Sequence, residues 1–143
     1  MNAIYVLVLI SLMGCSLLDR RPTRVVLEGD STPTFVVSGT GLLQDLIVYG
    51  SRQRNLPGDR AFAIWEIQPL KGSLDGESLD SIGSIKYGVV PEGYKQVYPE
   101  NKQAPPPLTP GTRYEYWFVM VNAPEARSYF EIRDNKAVVV PER

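Results

Sequence analysis

Leu108-Thr109-Pro110-Gly111-Thr112-Arg113-Tyr114-Glu115-Tyr116-Trp117-Phe118-Val119-Met120-Val121-Asn122 is the stretch on which the reading of the fold turns. Pro110 and Gly111 break the chain, and large side chains then follow one another without interruption to Asn122. Successive side chains of a strand point to opposite faces. A strand from Thr112 to Asn122 therefore sets Tyr114, Tyr116, Phe118 and Met120 on one face and Trp117, Val119 and Val121 on the other.

Working outward, Arg127 to Ile132 and Lys136 to Val140 form a pair of strands around Asp134-Asn135, two residues suited to a tight turn. On the other side, Ala104 to Gly111 holds Pro105, Pro106, Pro107 and Pro110. Proline fixes the backbone and removes a donor, so this segment is a polyproline-like connection and not a central strand. Pro105 to Pro107 could also serve an aromatic-lined groove, although such a run more often stiffens a loop. Ser84 to Val90 and Tyr94 to Tyr98, turned by Pro91-Glu92-Gly93, read as a hairpin in a meander. The run Ala61-Phe62-Ala63-Ile64-Trp65-Glu66-Ile67 is apolar on both faces and reads as a central strand. In Leu42 to Gly50, helical spacing of Leu42, Leu43, Leu46 and Ile47 competes with the strand-like Leu46-Ile47-Val48-Tyr49. A nine-residue helix would be marginal alone, so a strand is predicted. Thr34 to Ser38 is a further strand, and Val25-Val26-Leu27 an edge strand at the end of a polar tether. Ser51 to Asp59 and Lys71 to Gly83 are loops. The expectation is an all-β domain.

Composition narrows the function. The 15 basic and 16 acidic residues nearly cancel, and the basic residues are scattered, so no counterion-displacing patch for nucleic acid is present. Arg20, Arg21 and Arg24 are the densest group and could touch anionic headgroups or simply belong to a solvated tether. The chain has no histidine and one cysteine, Cys15. The commonest general base and metal ligand are thereby missing, as are Ser-His and Cys-His nucleophile pairs. No catalytic residue, metal site or cofactor is predicted. Asp75, Glu77 and Asp80 could offer oxygens to calcium, but their spacing matches no established calcium loop. Among the aromatics, Trp117, Tyr94 and Tyr98 are the candidates for a binding surface, against the alternative that they are core or cross-strand pairs.

The segment Leu108 to Tyr114, with the alternation that follows it, resembles the E–F corner of a fibronectin type III domain. The resemblance implies that Leu108 plugs one end of an immunoglobulin-like β-sandwich and that Tyr114 packs inward while its hydroxyl bonds backbone upstream, as in a tyrosine corner. Trp65 is similar to the core tryptophan of an early strand, and Ile82 to Tyr87 to the strand after it. The likeness covers roughly residues 60 to 132, with an extra strand in Thr34 to Gly50 and a long loop after Trp65.

Ahead of all this, an apolar run from Ala3 to Met13 closes on Leu12-Met13-Gly14-Cys15. The run is shorter than the roughly 20 apolar residues a spanning helix needs, which leaves a cleaved signal or a short anchor. Leu12-Met13-Gly14-Cys15 resembles the lipobox of bacterial lipoproteins. The resemblance implies cleavage before Cys15, a diacylglycerol on its sulfur and acylation of the new amino terminus, with Ser16 implying export to the outer membrane. The organisation expected is a signal peptide over 1–14, a lipidated tether over 15–32 and a β-sandwich domain over 33–143. The function expected is a non-catalytic binding module facing the periplasm, held at the membrane by its lipid and contacting an envelope protein, with a small-ligand or glycan-binding lipoprotein as the alternative.

Overall fold

The computed structural model describes residues 20–50, 62–72 and 74–142. The signal segment, Cys15, the start of the tether and the loop expected over Ser51 to Asp59 lie outside the described residues. In chain order the strands are β1 (Arg24–Glu28), β2 (Thr34–Ser38), β3 (Leu42–Tyr49), β4 (Ala63–Pro69), β5 (Ser84–Lys86), β6 (Tyr94–Tyr98), β7 (Arg113–Val121), β8 (Ala126–Arg133) and β9 (Lys136–Val140). A short helix α1 (Leu79–Ile82) precedes β5, and a 3-10 turn (Glu100–Lys102) follows β6.

The strands make two packed antiparallel sheets, the arrangement of a β-sandwich. One has three strands in the order β1-β2-β5, the other six in the order β6-β4-β3-β7-β8-β9. Phe35 of the small sheet joins them: its ring meets Tyr116, Phe118 and Phe130 of the large sheet edge-on, at centroid distances of 5.5, 5.6 and 6.4 Å. Edge-to-face packing sets the positive rim of one ring against the negative face of another. Around this hub Leu43, Leu46, Val48, Trp65, Ile67 and Ile85 complete one core.

β7 is where its alternation places it, with Tyr114, Tyr116, Phe118 and Met120 buried and Trp117, Val119 and Val121 on the opposite face. Its entry is a corner. The backbone N–H of Thr109 donates to the Tyr114 hydroxyl at 2.8 Å, and Leu108 is buried beneath it. Gly111 adopts φ +75°, a conformation that favours glycine, and its N–H donates to the Ile132 carbonyl at 3.0 Å. The β8–β9 turn also follows its sequence: Asp134 and Asn135 take φ +49° and +59°, the left-handed pair a two-residue hairpin requires. Leu42–Tyr49 is a strand, Val25-Val26-Leu27 lies in the edge strand β1, and β4 lies between β6 and β3.

Two expectations are corrected. Ser84 to Val90 and Tyr94 to Tyr98 do not form a hairpin. β5 pairs with β2, Phe35 opposite Ile85, whereas β6 pairs with β4, Pro69 opposite Tyr94. The chain changes sheets between them: the Tyr87 N–H donates to the carbonyl of Pro33, just ahead of β2, while its ring packs on Trp65 of the large sheet. Alternation shows that a segment can be a strand but does not name its neighbour, and here burial of Ile85 and Tyr94 in one core selected two different partners. Lys71 to Gly83 is also not loop throughout. Ser78 caps α1 by accepting from the Ser81 N–H, and Leu79 is fully buried.

Candidate interaction surface

The outer face of the six-stranded sheet carries a row of side chains across five neighbouring strands. Tyr98 lies opposite Glu66, Glu66 opposite Ile47, Ile47 opposite Trp117, and Trp117 opposite Arg127. Directly opposed residues of antiparallel strands share a face at about 5 Å between β-carbons, so the row is continuous. A second row, Tyr49–Glu115–Tyr129, runs beside it.

Glu115 is 3% exposed although it lies on an outward-facing position. Arg127 covers it, its Nε donating to Glu115 Oε1, and the same guanidinium lies 5.4 Å from the centroid of the Trp117 ring. The Trp117 indole N–H donates to Glu125 at 2.8 Å. Trp117 is thus held at its edge by a carboxylate and at its face by a cation, while remaining partly open to solvent. Arg113 repeats the motif one rung along, 4.4 Å over Tyr129, and also donates to the Pro141 carbonyl.

At the other end of the row stand two carboxylates. Burial pushes the Asp45 carboxyl above its ordinary range, opposed by a hydrogen bond with Gln68. Burial raises Glu66 also, and the Asp45 charge adds to the rise while the Gln68 amide, donating at 3.1 Å, works against it. One Asp45 carboxylate oxygen is buried and has no hydrogen-bond partner among the described residues. Burial likewise raises Tyr49, helped by the Glu115 and Glu66 charges and opposed by Arg127. The face therefore combines half-open aromatic rings with carboxylates that gain from an approaching donor or cation.

The three aromatic candidates separate. Trp117 and Tyr98, the latter 45% exposed, share the row described above. Tyr94 does not join them. It is 5% exposed, and its hydroxyl donates to the Leu43 carbonyl at 3.1 Å and accepts the Glu77 N–H at 3.0 Å. On β6 it turns toward the core opposite Pro69, and the register shift between Glu66 and Ile67 puts Tyr98 on the other face although the two lie four residues apart. Of the loop acids, Asp80 is occupied in holding the fold: it accepts from the Gly39 N–H at 3.0 Å and pairs with Arg21 at 2.9 Å. Among the described residues no cluster of three or more acidic, cysteine or histidine side chains is placed to hold a metal. The Pro-rich connection is pinned at its middle by the Tyr87 hydroxyl, which donates to the Pro106 carbonyl at 2.8 Å.

The sequence reading passed over Asp45, Glu115 and Arg127. Signal was present for the carboxylates: Asp45 and Glu66 are the single charges of their strands, and Glu115 is the last charge in β7 before an apolar run, where a charge marks the outward side of the pleat. The comparisons add no relative. No protein-family model, curated protein or solved structure matches the chain. Among the described residues no helix is long and apolar enough to cross a membrane.

Proposed function

We propose that this protein is a lipid-anchored, non-catalytic binding module of the bacterial cell envelope, tethered through Cys15, facing the periplasm from the outer membrane and presenting the outer face of its large sheet to an envelope protein. The observation that carries the binding assignment is the Tyr98–Glu66–Ile47–Trp117–Arg127 row, in which rings, an aliphatic side chain and charges are held on rigid strands. Interaction surfaces are enriched in tryptophan, tyrosine and arginine because each combines a large apolar body with a polar handle. A tether confines such a surface to a thin layer and raises its effective concentration toward membrane partners.

The domain is read further as an immunoglobulin-like sandwich of the fibronectin type III kind. The Tyr114–Thr109 corner supports this, as does the division of strands: β1-β2-β5 correspond to A, B and E, and β4-β3-β7-β8 to C′, C, F and G. In this correspondence Thr34 to Gly50 supplies B and C rather than an extra strand, Trp65 lies in C′ rather than in an early strand, and β6 and β9 are the additions at the two ends of the large sheet.

Anchoring is tested by fractionating cells that express the full chain or its Cys15→Ser variant. The wild type is expected in the membrane fraction with a diacylglycerol-modified amino-terminal cysteine by mass spectrometry. An unmodified Cys15 overturns it. Binding is tested by crosslinking from position 117 in cells. A single recurrent partner, lost on Trp117→Ala, supports protein contact, whereas glycan retention without a protein partner favours the small-ligand reading.

A further inference from the structure

Of the strands at the sheet edges, β5 is three residues long, β6 carries Lys95 and a register shift against β4, and β1 has only three uncharged residues between Arg24 and Glu28. β9 is different. It reads Ala137-Val138-Val139-Val140, with no proline, charge or bulge in those four residues, at the free edge of the six-stranded sheet. Val139 is 51% exposed and Val138 38%. An open groove, lined in part by Leu27, Asp30, Lys136 and Val138, lies beside it where β1 approaches. Edges of this kind are normally blunted by charge, proline or bulges, because their unpaired backbone groups are a template for another strand.

The hairpin settles which groups are free. Arg133 and Lys136 flank the two-residue turn and exchange both their hydrogen bonds, so bonded and non-bonded pairs alternate from there. Lys136, Val138 and Val140 thus point their N–H and C=O groups at β8. Ala137, Val139 and Pro141 point theirs away from the sheet.

We propose that two copies of this chain pair antiparallel through β9, with Val139 opposite Val139, joining their large sheets into one. This register is self-complementary. The two Val139 residues exchange two backbone bonds, and each Ala137 N–H meets the partner copy's Pro141 carbonyl, whose second lone pair stays free beside the Arg113 guanidinium. Val138 faces Val140, and Lys136 faces Glu142 on the same side of the sheet, giving an opposite-charge pair twice. Shifting the centre to Val138 sets Lys136 against Val140 and Glu142 against the turn, so both opposite-charge pairs are lost. The charge pattern at the ends of β9 therefore selects a second copy of this chain over an unrelated strand, and one register over its neighbour.

The test is the mass of the full chain, purified in detergent, by sedimentation over a range of concentrations, with thermal melting alongside. A dimer is expected. Val139→Pro removes only an outward-facing donor at an edge, a position that tolerates proline, and is expected to melt like the wild type and remain monomeric. Lys136→Glu is expected to weaken the dimer by roughly tenfold, since it turns two attractive pairs repulsive, and adding Glu142→Lys to restore it. A wild type that stays monomeric at every concentration overturns the proposal, as does a dimer unaffected by a folded Val139→Pro. If Val139→Pro fails to fold, the charge exchange decides: no loss with Lys136→Glu, or no recovery in the double variant, overturns it.

Discussion

The Tyr94 hydroxyl joins two segments that are remote in sequence: it donates to the Leu43 carbonyl at 3.1 Å and accepts the Glu77 N–H at 3.0 Å. Leu43 belongs to β3 and Glu77 to the segment leading into α1, so one phenol fastens the crossing chain to the large sheet. Tyr94→Phe leaves a buried carbonyl and an amide short of a partner, and a buried unpaired group costs about 1–3 kcal/mol. Denaturant unfolding of the variant is expected to show a loss in that range. Binding through Trp117 is expected to be unchanged, which separates Tyr94 from the surface row.

Gly76 lies under the same fastening. A β-carbon there would stand 2.0 Å from the Leu43 carbonyl oxygen, which is backbone and cannot rotate away. Gly76→Ala is expected to lose about 3 kcal/mol or more, as overpacking that must move backbone does. A variant that melts within a degree or two of the wild type would show that the crossing can shift freely.

The buried Glu115 depends on Arg127. Arg127→Ala strips the cation from a carboxylate that is almost fully covered, and a loss of about 2–3 kcal/mol is expected, less than for a wholly interior pair because the arginine is half exposed. Glu115→Leu together with Arg127→Leu is expected to recover most of that loss, since no charge is then left uncompensated. Equilibrium unfolding of the single and double variants measures both values. Because Arg127 also lies over the Trp117 ring, the single variant is expected to broaden the indole fluorescence response as well.

The Asp45–Glu66 pair gives a pH dependence. Both carboxyls are raised by burial, so the folded protein binds these protons more tightly than the unfolded chain does. Their favourable contribution is complete below the ordinary carboxylate range, near pH 4, and is lost as the pH rises through their raised folded values. Asp45→Asn is expected to increase stability at neutral pH, by less than about 1 kcal/mol because both groups are partly solvated. It is also expected to flatten the part of the stability–pH curve that these groups set, as measured by melting between pH 4 and pH 7.

Much of the architecture was legible in order of residue. Alternation located β7 and sorted its two faces, Pro110-Gly111 located the corner, and Asp134-Asn135 located the hairpin, because each rests on contacts between neighbours in the chain. The charges Asp45, Glu66 and Glu115 were visible too, but their assembly on one face was not, since it depends on the register of three strands.

What the sequence determined by itself was the all-β character of the domain and the division of β7 into two faces, both set by side-chain type and period. Tertiary structure alone decided that β5 and β6 part into different sheets, that Tyr94 turns inward to Leu43, and that Trp117 lies in a row with Tyr98, Glu66 and Arg127. Local pattern gives a strand two faces and two edges. Only burial of Ile85, Trp65 and Tyr94 in one shared core chooses which edge meets which, and the outer surface follows from that choice.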